Sequence, residues 1–177
     1  MLRYNVAELL QAAPGTSERQ DLGGVLLSLD ECLELARPIE GSIKLTNSGR
    51  GILVQGRLTT ALAEHCSRCL RDAEAALTIE LEDEALPSID IESGLPVDVT
   101  DEPDALRLDD HHELDLEPAI RDAISLAEPI APLCRPDCPG LCDTCGADLT
   151  AEPGHHHDDD EVDPRLAVMA SLRDRLS

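Results

Sequence analysis

Residues 50–82 read RGILVQGRLTTALAEHCSRCLRDAEAALTIELE, and their pattern decides the architecture. Val54, Leu58 and Leu62 fall on one side of an extended chain. After the break at CSRC, Ala73, Ala75, Leu77, Ile79 and Leu81 oppose Glu74, Thr78, Glu80 and Glu82. Alternation with a period of two marks a strand buried on one face, so the stretch is predicted to be a hairpin carrying Cys66-Ser-Arg-Cys69 at its tip. Upstream, PIEGSIKLT alternates in the same way: Ile39, Ile43 and Leu45 lie against Glu40, Ser42 and Lys44, and Asn47-Ser48-Gly49 supplies a turn. Residues 38–83 are therefore expected to form an antiparallel β-meander.

Beyond the meander the chain turns acidic. From Asp83 to Glu117 it carries thirteen acidic residues and one basic one, Arg107. Residues 84–115 are predicted to be a solvated acidic loop, with LPVDVT (95–100) as a possible short edge strand. Two helices are expected in the remaining part, 116–177. In DLEPAIRDAISLAEP, Asp115 is placed as the N-cap, Leu116, Ile120 and Ile124 form a stripe, and Pro129 ends it. In VDPRLAVMASLRDRL, Asp163 caps, Pro164 takes the first helical position, and Leu166, Met169, Leu172 and Leu176 share a broad face. The class is α+β, in about one domain over 1–177: a small antiparallel β-rich body, an acidic loop, and a C-terminal part with two helices.

Of the seven cysteines, four crowd into CRPDCPGLCDTCGADL, residues 134–149. Cys66/Cys69 and Cys142/Cys145 are C-x2-C pairs, the spacing that places two thiolates on one metal ion. Pro136 and Pro139 keep Cys134 and Cys138 on an irregular loop. GHHHDDD offers His155 and His157 as further ligands. One arrangement puts Cys66, Cys69, Cys134 and Cys138 on one zinc, with Cys142, Cys145, His155 and His157 on a second. The other joins Cys66/Cys69 to Cys142/Cys145 and leaves Cys134 and Cys138 spare, and the histidine run then reads as a solvated tract. In both, one or two zinc ions staple the chain after the acidic loop back onto the hairpin tip, where an interior without Phe or Trp would hold it poorly. Cys32 is read as a buried small side chain, His65 as an exposed strand histidine beside Cys66, and His111/His112 as a loose cation site at most.

Composition narrows the functions. The chain has 37 acidic against 14 basic residues, a formal charge of −23, and Tyr4 as its one aromatic. Phosphate binding needs clustered cations and base stacking needs aromatic rings, so direct nucleic-acid contact is not expected. MLRYNVAELLQAAPG has no basic leader followed by a long apolar run, and no apolar stretch is long enough for a membrane span, so a reducing cytoplasm is expected. There, clustered cysteines more often bind metal than form disulfides. GxSxG, P-loop, GxGxxG and HExxH patterns are all missing, and no enzymatic activity is expected.

CSRCL after a β-rich segment, GLCDTCGADL, the C-terminal VDPRLAVMASLRDRL and the opening YNVAELLQAAPGTSERQ together resemble the YceD family over nearly the whole chain. That family is linked to accumulation of large-subunit (23S) ribosomal RNA. Many cysteine-rich members close the cluster with C-x-C, where this chain has HHH. The resemblance implies a ribosome-biogenesis role without enzymatic activity. A body of charge −23 would steer a basic ribosomal or assembly protein toward itself. Two rival readings are a metal-handling protein that stores or delivers zinc, and a thiol oxidoreductase working through a C-x2-C pair.

Overall fold

The computed structural model describes residues 2–29, 33–97 and 105–157. Cys32, residues 98–100 of the possible edge strand and the helix expected over 163–176 lie outside them. Along the chain come β1 (Arg3–Asn5), α1 (Ala7–Gln11), β2 (Ser17–Val25), β3 (Leu35–Asn47), β4 (Ile52–His65), β5 (Asp72–Leu86), β6 (Leu106–Arg107), β7 (Glu113–Asp115) and α2 (Glu117–Ala127). The class is α+β. The chain divides into two compact units, residues 1–138 and 139–177.

The first unit is built on a five-stranded sheet in the order β2-β3-β4-β5-β6. Its first four strands run antiparallel, and β6 adds two residues parallel to β5. Leu58 faces Ile79 across β4 and β5, and Leu45 faces Val54 across β3 and β4, so the apolar residues of each strand fall on one face. Glycine fits where strands crowd. Gly41 sits at φ +146°, and a Cβ there would lie 2.3 Å from the carbonyl oxygen of Arg57. On the outer face Arg57 pairs with Glu80 and Arg37 with Glu74, while Arg50 at the hairpin turn pairs with Glu84.

Burial of the apolar face requires a second layer. α2 supplies it with Leu116, Ile120 and Ile124, all fully buried. They join Leu58, Leu62, Leu77 and Ile79 in one core. Asp115 serves the start of α2 one residue earlier than a formal N-cap: Leu116 holds that position, and the Asp115 carboxylate accepts a hydrogen bond from the Glu117 amide at 3.0 Å. The helix ends at Ala127, just before Pro129.

Several elements carry no strong sequence signal. β2 is exposed along most of its length, so it does not alternate. β1 pairs with β7, and α1 puts Leu9 into the core. Buried Asn47 holds α1 in place: its amide nitrogen donates to the carbonyls of Leu9, Leu10 and Ala12 at 2.9–3.1 Å, satisfying groups that a helix end leaves open. The acidic stretch 84–115 departs from the solvated loop expected of it. β5 continues to Leu86, β6 and β7 both lie in this stretch, and Leu108 and Leu114 are buried in the core. Leucines at these anchoring points outweigh the charged residues around them.

Candidate metal centres

Each C-x2-C pair forms the same turn. In the first, the Leu70 amide donates to the Cys66 carbonyl at 2.8 Å and the Cys66 amide donates to the Arg71 carbonyl at 2.8 Å. In the second, the Gly146 amide donates to the Cys142 carbonyl at 2.8 Å and the Cys142 amide to the Ala147 carbonyl at 2.8 Å. The residue after the second cysteine must adopt a left-handed backbone in both turns: Leu70 at φ 59° and Gly146 at φ 75°.

Around these turns the structure gathers two groups whose ligand atoms all lie within 4.8 Å of one another: Cys66, Cys69, Cys134 and Cys138, and Cys142, Cys145, His155 and His157. Both can hold a metal ion. Cys134 and Cys138 are thus neighbours of Cys66 and Cys69 rather than spares.

The first group sits at the tip of the β4–β5 hairpin. The Ser67 amide donates to the Pro132 carbonyl at 2.8 Å, and Arg68 donates to the Cys138 carbonyl at 2.9 Å, so the segment carrying Cys134 and Cys138 is tied to the turn. Cys66, Cys69 and Cys138 are buried with Leu133 and Ala73 against them, and Cys134 is exposed. Cys66 Sγ lies 3.8 Å from Cys138 Sγ, and Cys69 Sγ 3.7 Å from Cys134 Sγ. A disulfide would bring sulfurs to about 2.05 Å. The amides of Cys134, Cys69 and Arg68 converge on Cys66 and hold its thiol down at about 5. Arg71 lowers Cys69 in the same direction. Desolvation of its sulfur within the cluster, with the neighbouring thiols, pushes Cys134 up to about 12 although the residue as a whole is exposed. Four crowded sulfurs cannot all ionise without a cation among them.

The second group is more open. Cys142 is half-buried and Cys145 exposed. Cys142 Sγ lies 3.3 Å from His157 Nε2, Cys145 Sγ 3.1 Å from His155 Nε2, and the two Nε2 atoms 3.1 Å apart. The amides of Cys145 and Thr144 hold the Cys142 thiol at about 6. A short turn starting at Asp148 leads to His155, whose Nδ1 meets the Glu152 carboxylate at 3.2 Å. A carboxylate on the far ring nitrogen orients a ligating histidine and raises its basicity. Sequence reading missed Glu152. Its position three residues before His155 within one turn was the available signal.

The other histidines belong to neither group. His65 Nδ1 faces Asp72 at 3.1 Å across the hairpin, and His112 sits in a left-handed turn with its carbonyl accepting from the Val6 amide. Among the described residues, no helix is long and apolar enough to cross a membrane.

Fold and sites together define an α+β protein with two Cys/His groups able to hold metal ions. The chain belongs to the family described as large ribosomal RNA subunit accumulation protein YceD, whose model matches residues 54–173 and so takes in both groups. It is 33% identical over 149 residues to proteins described as uncharacterized in Mycobacterium bovis and Mycobacterium tuberculosis, covering 84% of this chain and 63% of each relative. A Mycobacterium leprae protein with the same description is 34% identical over 140 residues, covering 79% of this chain and 61% of the relative. The chain thus spans less than two thirds of the length of these relatives. No solved structure matches it.

Proposed function

We propose that the protein is a non-enzymatic factor in large-subunit ribosomal RNA accumulation that binds a basic ribosomal or ribosome-assembly protein in the cytoplasm, with zinc in both Cys/His groups. Membership of the YceD family carries the ribosomal part of this reading. The partner's chemistry rests on the formal charge of −23, which attracts a polycation by long-range steering and opposes direct contact with phosphates. Bound to this body, an Arg/Lys-rich protein would be shielded until ribosomal RNA competes for it.

The donor sets favour zinc. Four thiolates at about 2.3 Å from one zinc ion lie about 3.8 Å apart along each edge of a tetrahedron. The sulfur separations of 3.7 and 3.8 Å in the first group match that edge. In the second, sulfur–nitrogen edges of about 3.5 Å are the ideal, and the observed 3.1 and 3.3 Å are somewhat tighter. Zinc with four protein ligands has no open position for water and supplies cross-linking rather than catalysis. Cys66, Cys69, Cys134 and Cys138 would fasten the chain after α2 to the hairpin tip. Cys142, Cys145, His155 and His157 would close the second unit on itself.

The deciding experiment titrates the purified, zinc-replete full chain with purified basic ribosomal proteins at low and high salt, beside ribosome profiles of a deletion strain. Salt-sensitive binding and a deficit of large subunits are expected. No binding at low salt, with normal subunit ratios, would overturn the reading.

A further inference from the structure

Among the described residues, the outer edge of β5 is open beyond its short pairing with β6 at Ala85 and Leu86. An unpaired edge offers a row of backbone donors and acceptors to a further strand. α2 packs beside this edge, and a groove of about 340 Å³ runs between them. Its apolar lining is Leu81, Leu106, Pro118, Ala119, Ala123 and Leu126. Leu126 is 90% exposed, so an apolar side chain stands in water at the groove wall. The charged lining residues are Glu80, Glu82, Asp83 and Asp122, with no Lys or Arg among the lining residues. Glu80 is paired with Arg57, whereas Glu82, Asp83 and Asp122 have no ion pair among the described residues.

We infer that this groove docks an extended, Arg/Lys-rich segment of a partner protein, which adds a strand to β5, seats an apolar side chain against Ala123 and Leu126, and sets its cations against Glu82, Asp83 and Asp122. The inference rests on the basic-partner reading above and names the surface that would serve it. Three features coincide here: a strand edge able to take backbone hydrogen bonds, an apolar trough for alternate side chains, and a rim of unpaired carboxylates. Strand addition draws affinity from the main chain and specificity from the side-chain pockets, and the rim selects charge. A second copy of this chain would bring a charge of −23 to the same rim, so self-pairing is the disfavoured occupant.

The test uses the full chain and a short fluorescein-labelled peptide alternating Arg and Val, with an equally charged peptide alternating Arg and Gly as control. Fluorescence anisotropy is expected to give saturable binding to the first peptide and about tenfold weaker binding to the control. Ala123→Arg, which fills the groove and sets a competing cation among its carboxylates, is expected to weaken the Arg/Val peptide about tenfold or more. The exposed pair Asp122→Arg with Leu126→Ser should do the same, and circular dichroism should show both proteins folded. Equal binding of the two peptides, or unchanged binding to both folded variants, overturns the groove. Dimerisation in sedimentation that these substitutions abolish would also overturn it, in favour of self-pairing. If basic ribosomal proteins bind the wild type and the variants alike, the groove falls and the basic-partner reading stands. If they do not bind the wild type while the Arg/Val peptide does, the groove stands and the ribosomal partner falls.

Discussion

In residues 66–71 and 142–147 the chain makes the same turn twice, with matching 2.8 Å hydrogen bonds and a left-handed residue after the second cysteine. What surrounds the turns differs. The first belongs to a long hairpin, is completed by two cysteines more than sixty residues further on, and has three of its four sulfur-bearing residues buried. The second is completed from within the next dozen residues by two histidines, with an exposed Cys145. A local turn thus fixes where two thiolates go, while the remaining ligands and the shielding come from whatever the fold brings alongside. Burial should make the first ion slow to leave, and exposure should make the second exchangeable.

The largest effect should come from removing the ions. In full-length protein, a strong chelator with a colour readout is expected to extract zinc in two phases, and structural zinc in small domains contributes about 10–16 kcal/mol to folding. Cys142→Ser should abolish the fast phase, and Cys138→Ser the slow one. A single phase, or elemental analysis finding no metal in reduced protein, breaks the comparison.

Next in size is a substitution that spares both centres. Ile120→Ala should cost about 2–5 kcal/mol in denaturant unfolding, because the residue is fully buried under the sheet. Zinc content should not change. Parallel loss of zinc would show that the hairpin tip depends on α2.

Glu152→Ala sharpens the contrast from the other side. It should weaken zinc at the second centre about 10–100-fold in competition titrations and leave the first untouched. Equal affinity in mutant and wild type would show that Glu152 does not orient His155.

The two left-handed positions give a smaller pair of effects. Gly146→Leu should cost about 1–2 kcal/mol of backbone strain in thermal unfolding. Leu70→Gly should be neutral or stabilise by up to about 1 kcal/mol, since relief of strain is offset by the freedom glycine gains when unfolded. Leu70 is 66% exposed and surrenders little packing. Marked destabilisation by Leu70→Gly would mean that this leucine is held by contacts the turn itself does not need.

The smallest effect concerns pH, away from both centres. The Glu113 amide, followed by that of His111, holds the Asp109 carboxyl below its usual range. A lowered carboxyl contributes stability that is present above its ordinary value of about 4 and lost as pH falls through the folded value beneath it. Asp109→Asn, which keeps an acceptor and removes the charge, should flatten that acid limb slightly and lower neutral stability by the same small amount. An unaltered acid limb would remove the carboxylate's role.

Much of the sheet was legible because β3, β4 and β5 are each buried on one face, and a period of two is written directly into such strands. Leu116, Ile120 and Ile124 announced α2 in the same manner. β2 escaped because it is mostly exposed and has no apolar side to betray it. β6 and β7 escaped because single leucines, half-buried Leu106 and buried Leu114, sit among many carboxylates, and composition averages that signal away. Glu152 escaped because its spacing of three residues before His155 becomes informative only once a turn is known to join the two.

The sequence by itself determined the hairpin carrying Cys66 and Cys69, the two C-x2-C turns and the acidity of the body, since each depends on residues adjacent in the chain. Tertiary structure decided which sulfurs meet, which centre is covered, and where acidic chain becomes strand. Proline-rich segments such as 134–139 have no period to read. Their course is set by distant contacts, here the Pro132 carbonyl on Ser67 and the Cys138 carbonyl on Arg68, and those exist only once the sheet has formed.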